Sequence, residues 1–581
     1  MGKKYTPRTS IIGQRERTAP SDRDALHRGE MGRKYFHRKR IDKKIFQDYF
    51  HTVSHLRPWQ VLGRLAAPLQ RRLTAWRLPA PPSRLQPAGP APVQEPTHDP
   101  WNARADVWEG RFCFLNEVAH LSRPVDWSAS GQPLLWRFNL HYFDYLYLLE
   151  PRERVALCRE WIAANPVGQG VGWHPYPTSL RLVNWCRAGL TASDVLESLY
   201  RQAAYLSRTV ETHVYGNHLL ENARALVLAG CYLRGQGEAD RWLEQGLSIY
   251  RDELDEQILS DGYHFERSPM YHALVLEGML DVLSVLPEER AVSARLAEAA
   301  QAMTEALAAT SHPDGTLALF NDTTHEIAPP PDRLLQYARQ VLREEPSTRT
   351  VFPEAGYYVL DAEDLWMMID GGPAGPEHLM AHAHADVFSF ELSLFGERFV
   401  VDSGVYEYAA GPMRQYVRST AAHNTAQVDG LDQIECWNSF RVARRDAPRD
   451  VTWQETKGGA VFQGTYDGYQ DRVGDDLSHH RRVEIDARER CVRVRDEIVG
   501  RGRHRVESRI HLHPDVQVRR DGQVVYGTRG ENRCRVEIGA GELRQERGWY
   551  CPRFGVRHRV CVLVVGAEGE LPLQCDYRIR Y

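Results

Sequence analysis

The chain has 581 residues, too many for one ordinary hydrophobic core, so two to four packed units are expected. Apolar residues make up 42% and charged residues 26%, values of a globular protein that exclude a low-complexity or wholly disordered chain. The formal net charge of −4 gives no general argument for a nucleic-acid partner, and ten scattered Cys without a Cys-x-x-Cys pair indicate reduced thiols rather than a disulfide frame.

In chain order, residues 1–50 are polar and basic, with Arg33, Lys34, Arg38, Lys39 and Arg40 clustered. A solvated tail is preferred here to an arm for a nucleic acid or an anionic polymer. The first thirty residues contain no apolar core of signal-peptide length, and no run approaches the length needed to span a bilayer, so a cytoplasmic protein is expected. Residues 59–77 form an amphipathic basic segment suited either to a membrane surface or, preferably, to packing on the body of the protein. Residues 79–100 carry Pro79, Pro81, Pro82, Pro87, Pro90 and further prolines, and read as a semi-rigid linker.

From Trp101 to about Gln340 the pattern is helical and rich in aromatic residues, without a fixed repeat period. After Val351 it changes to short alternating strands, Gly turns and runs such as Arg482-Val-Glu-Ile-Asp, which predict antiparallel sheet with sandwich spacing. Helices first and strands after predict two separately packed parts behind a leader: residues 1–100, 101–345 and 346–581.

Two helix starts in the first part carry polar groups. Tyr215-Gly-Asn217-His218-Leu-Leu-Glu221-Asn222 places polar residues in one stripe on an otherwise apolar helix, which serves a site or satisfies itself as a buried network. In Asp261-Gly-Tyr-His264-Phe-Glu266-Arg-Ser268-Pro269-Met-Tyr271-His272, Ser268 is a natural N-cap and Pro269 suits the first helical position. Tyr271 then falls in the first turn, where the helix dipole favours a phenolate.

In the second part, His382-Ala-His384-Ala-Asp386 precedes a strand in which Phe388, Phe390, Leu392 and Leu394 alternate with Ser389, Glu391 and Ser393. That is the pattern of a half-buried strand, and Arg398 to Val401 returns as its hairpin partner ending on Asp402. Period 2 puts His382 and His384 on one side, Asp402 is brought near, and His423 adds another imidazole. Two or three His with one Asp suit zinc; ordinary hydrogen-bonded histidines at a strand end are the plainer reading.

Taken together, Gly216-Asn-His-Leu-Leu-Glu-Asn, the Glu-x-Ser-x-x-Tyr-His run, His-Ala-His-Ala-Asp and the later Asp-Ser-Gly and His-Asn-Thr resemble the heparinase II/III family of polysaccharide lyases. Trp136-Arg-Phe-Asn-Leu-His-Tyr-Phe and Pro175-Tyr-Pro-Thr-Ser-Leu-Arg181-Leu-Val-Asn-Trp185 are similar to members found beside exopolysaccharide genes. The resemblance covers roughly residues 100–581 and implies an N-terminal α/α toroid, an incomplete barrel of helices, followed by a C-terminal antiparallel β-sandwich. It also implies an anionic polysaccharide substrate. The basic, Pro-rich front end departs from the export signal usual among secreted members, whose compartment would be periplasmic. Oligomeric state is not legible.

A uronate polymer is cut by β-elimination when the C5 proton is removed and O4 expelled. Asn217 and His218 suit neutralisation of the neighbouring carboxylate. The resemblance makes Tyr271 the acid at O4; the base is His382, or Tyr416 ahead of Tyr408. Arg418 is placed to hold a substrate carboxylate bidentately, and Arg181, Trp185, Glu266 and Tyr408 complete the expected substrate-binding set. Zinc on His384, Asp402 and His423 is expected to be largely structural. Two other classes are compatible with the sequence: a zinc-dependent hydrolase, and a non-catalytic polysaccharide-binding protein of an exopolysaccharide assembly system.

Overall fold

The computed structural model describes residues 44–89, 101–286, 291–473 and 476–581. Most of the basic leader, residues 1–43, and the end of the Pro-rich stretch, residues 90–100, lie outside the described residues.

Proline at the first turn starts many of the helices: α1 Pro58–Trp76, α3 Pro151–Ala164, α4 Pro175–Arg187, α8 Pro269–Val285 and α10 Pro331–Leu342. The ring fixes φ where the missing N–H costs nothing. The others are α2 Leu134–Tyr142, α5 Ser193–Ser207, α6 Asn217–Tyr232, α7 Ala239–Gln257 and α9 Ala291–Ala309. From α2 onward they lie in two layers. Helices α2, α4, α6, α8 and α10 pack each on the next as an inner row, and α3, α5, α7 and α9 form an outer row. Helix α6 is buried almost all round, as an inner-row helix must be. This is the expected incomplete toroid.

The second half is antiparallel sheet, with no closed barrel. A five-stranded sheet runs in sequence order through Val351–Phe352, Tyr357–Ala362, Leu365–Asp370, Phe390–Leu394 and Glu397–Val400. Eight-stranded and four-stranded sheets follow, and side chains from all three meet in one apolar core. The halves are fused by a mixed apolar cluster in which Tyr263, Ala306 and Phe320 meet Phe352, Tyr357, Trp366 and Met368.

Two expectations are corrected here. The Phe390–Leu394 strand is buried on both faces, because its polar side closes on the helical half. Glu391 accepts from His312 at 2.6 Å and from Arg398 at 3.2 Å, and His312 Nδ1 lies 2.8 Å from Ser393 Oγ. The leader-and-linker reading fails for the described part of residues 1–100. Leu85 joins the toroid core and the Ala88 N–H donates to the Tyr232 carbonyl at 2.9 Å. Helix α1 lies across both halves at the surface, Gln60 donating to the His378 carbonyl at 3.4 Å and Gln70 to the Arg208 carbonyl at 2.7 Å. Just before it, Thr52 donates to the Val442 carbonyl at 2.9 Å, and the Tyr49 ring packs edge-on against Trp437.

Candidate active site

The loop ahead of α6 takes two left-handed residues in succession, Tyr215 at φ 72° and Gly216 at φ 60°. A Cβ on Gly216 would sit 2.1 Å from Glu266 Oε1, so only glycine permits this approach. The turn delivers the Asn217 backbone N–H to Glu266 Oε1 at 2.9 Å, and the Asn217 amide nitrogen to the same carboxylate at 3.1 and 2.9 Å. The amide donors therefore serve Glu266, and Asn217 Oδ1 is buried without a partner among the described residues.

One residue on, His218 Nδ1 lies 3.2 Å from Glu211 Oε2, and its ring packs at a tilt against Tyr176 with centroids 4.3 Å apart. Burial opposes a charge on His218, but the Glu211 carboxylate outweighs it and raises the imidazole pKa above its ordinary value.

Ser268 caps α8 as expected, its Oγ accepting from the Tyr271 N–H at 3.3 Å, and it also donates to the Asp322 carbonyl at 2.9 Å. The Tyr271 ring packs on that of His382, centroids 4.0 Å apart and planes tilted by 36°, and its hydroxyl is 3.1 Å from that of Tyr408. The expected phenolate is not what this environment favours. Burial, with Tyr408 and Asp322 nearby, pushes the Tyr271 pKa well above its ordinary value and holds the neutral phenol. His264 and His272 turn into the core instead, toward Gln257 and the Met303 carbonyl.

Asp322 is the hub. Its Oδ2 accepts from His382 Nδ1 at 2.9 Å and from Arg414 at 2.8 Å, and its Oδ1 from His384 Nε2 at 2.9 Å and again from Arg414. Although burial raises it, Arg414 and the two imidazoles overcome that and hold Asp322 well below the usual carboxylate range. An ionised Asp322 keeps the proton of His382 on Nδ1 and leaves Nε2 as the basic nitrogen. That Nε2 lies 3.6 Å from Glu266 Oε2. Tyr408 is framed by Phe440, Phe554 and the Arg414 guanidinium.

A second cluster lies behind the first. His384 Nδ1, His423 Nε2 and Asp386 Oδ1 are buried without partners among the described residues. His384, Asp386 and His423 each offer one ligand atom, all within 4.8 Å of one another. The opposite nitrogens are occupied, His384 Nε2 by Asp322 and His423 Nδ1 by Asp402 Oδ2 at 2.7 Å, while the Asn321 N–H fixes Asp386 Oδ2 at 3.2 Å. Two lone pairs and a carboxylate oxygen, oriented from behind and unsatisfied, fit a zinc ion. The geometry differs from the expected ligand set at one position: Asp402 is bonded to the far nitrogen of His423, and the carboxylate grouped with His384 and His423 is Asp386.

Four further expectations are corrected. Arg181 is wholly buried, bonded to Gln202 Oε1 at 2.7 Å and the Gly172 carbonyl at 2.9 Å with its guanidinium 3.9 Å from the Trp161 ring centroid; it braces the toroid. Trp185 is fully buried beside Phe143 and Trp161. Arg418 donates to the Ala383 carbonyl at 3.0 Å and to those of Asn438 and Ser439, so it fixes loops and is not placed to clamp a carboxylate. The Tyr416 hydroxyl accepts from the Trp549 N–H at 3.1 Å, so Tyr408, not Tyr416, is the tyrosine that meets Tyr271.

The family profiles described as heparinase II/III N-terminus and heparinase II/III-like, C-terminal match residues 187–345 and 344–574. A heparin-sulfate lyase of Pedobacter heparinus is 26% identical over 333 residues, 49% of each chain, so the chain spans about half the length of that curated relative. The crystal structure of a heparinase III superposes with a TM-score of 0.66 at 18% identity, covering 79% of this chain and 80% of the other. A heparan sulfate lyase mutant from Pedobacter heparinus gives a TM-score of 0.59 at 18% identity over 90% and 88% of the two chains. These structural likenesses concern the fold.

Proposed function

We propose that this chain, which belongs to the heparinase II/III family, cleaves a uronic-acid-containing polysaccharide by β-elimination. The observation that carries the reading is the line of groups from Asp322 through His382 to Tyr271 and Tyr408, which joins a basic nitrogen to a neutral phenol across the two halves. His382 Nε2 removes the C5 proton, with Asp322 steadying the imidazolium that forms. Tyr271, protonated at neutral pH, donates to the departing O4, and Tyr408 holds its hydroxyl in place. His218, whose cationic form Glu211 favours, faces the substrate carboxylate and makes the C5 proton more acidic, while the Asn217–Glu266 pair builds the adjoining wall.

His384, Asp386 and His423 hold zinc in this reading. The ion supplies cross-linking of the loops that carry His382 and Arg414; all three donors are fully buried, which favours a closed structural site over one that activates water. His382→Ala tests the proposal: turnover of a uronate polymer is expected to vanish and to return in part with added imidazole. Unchanged turnover in that variant overturns it.

A further inference from the structure

Helix α1 carries Leu62, Leu65, Leu69, Leu73 and Trp76 at intervals of three and four residues, so they form one stripe. The stripe faces away from the protein: Leu65 is 76% exposed and Trp76 88% exposed, while the side that packs inward carries Gln60, Ala67 and Thr74. The residues just ahead of α1 continue the pattern, with Phe46 73% exposed and Phe50 63% exposed. This is the reverse of the distribution on a helix that serves only the core.

The segment's own charge has one sign. No Asp or Glu occurs from Tyr49 to Gln94, and Arg64, Arg72 and Arg77 are exposed beside the leucines. Trp59 and Trp76, both exposed, stand at the two ends of the helix. Leucines flanked by arginines, with indoles at the ends, match the interface between acyl chains and anionic headgroups. The preceding residues 33–44 add a further basic run, which such a surface attracts. A partner protein would need acidic groups facing a helix that offers none in return.

We infer that α1 docks this protein flat on an anionic lipid bilayer, with Leu62, Leu65, Leu69, Leu73 and Trp76 entering the headgroup–acyl boundary. Because α1 bridges both halves through Gln60 and Gln70, docking holds the cleft at a fixed orientation to the membrane. The proposal is independent of the chemistry in the cleft.

The test uses the full chain and vesicles of phosphatidylcholine with or without phosphatidylglycerol, read by co-sedimentation. Binding is expected on the anionic vesicles, weaker on the neutral ones and reduced by salt. Leu65→Glu/Leu69→Glu, at exposed positions, is expected to keep its melting temperature and to lower vesicle partitioning by about a hundredfold or more. Three results overturn the inference. The wild-type chain fails to bind anionic vesicles; the double variant binds as well as wild type, so that basic residues alone adsorb the protein; or light scattering shows a wild-type dimer that the double variant abolishes, so that the stripe pairs two copies.

Discussion

The Tyr271 hydroxyl lies 3.1 Å from the Tyr408 hydroxyl, and this contact joins the first turn of an inner toroid helix to a loop of the sheet half. Burial outweighs the opposing Arg414 guanidinium beside Tyr408 and pushes both pKa values well above the ordinary tyrosine value. Both phenols are therefore protonated at neutral pH. Tyr271→Phe and Tyr408→Phe are each expected to lower turnover, the first by about a hundredfold or more, as for a lost general acid. The double variant is expected to be little worse than Tyr271→Phe alone, since both act on one proton transfer. Steady-state kinetics on a uronate polymer reads this directly, with KM moving less than kcat.

Glu211 sets the charge of His218. A folded-state pKa above the ordinary imidazole value favours the cation, which is lost as pH rises through the raised value. The alkaline limb of kcat/KM is expected to move to lower pH in Glu211→Gln. A limb that stays in place assigns it to another group.

The buried His384, Asp386 and His423 set predicts a bound metal. Elemental analysis of purified protein is expected to find zinc near one equivalent. His384→Ala and Asp386→Ala are expected to lose it and to melt at lower temperature, because a closed site returns its binding energy to folding. Asp402→Asn is expected to keep the ion about ten- to a hundredfold more weakly, as for a group that only orients a ligand.

Much of this was legible in the sequence because the signals are local. Gly216 and Asn217, or Ser268, Pro269 and Tyr271, sit within a few residues of one another and follow turn and cap rules, and the change from helix to strand period marks the two halves. Asp322 was not legible. It stands 60 residues from His382 and 92 from Arg414, in a short run without periodicity, and only the fused interface shows what it serves. Arg414 and Arg418, close together in one short run, have equal claims in the sequence; the fold turns the first toward Asp322 and the second toward the Ala383 carbonyl. The same holds for Tyr408 and Tyr416. Arg181 and Trp185 were misplaced because an aromatic, cationic helix face reads alike whether it lines a cleft or a core.

Several core histidines predict acid lability. His272 donates from Nε2 to the Met303 carbonyl at 2.8 Å and accepts the His264 N–H at Nδ1 at 3.2 Å, a pairing that requires the neutral ring. Burial lowers its pKa from 6.5 to about 3. The unfolded chain takes up the proton first, so the contribution is intact above about pH 6.5 and is lost as pH falls toward the folded value, at about 1.4 kcal/mol per pH unit for one such group. Melting temperature is expected to fall on acidification from pH 7 to 5, less steeply in His272→Gln.

The central claim is elimination at a uronate. The direct measurement is ultraviolet absorbance of the unsaturated uronate product after incubation of the purified chain with a panel of uronate polysaccharides. The account predicts that at least one polymer yields it, and that Tyr271→Phe slows its appearance by about a hundredfold or more. Depolymerisation that creates new reducing ends without the unsaturated chromophore, or full activity in Tyr271→Phe, would contradict it.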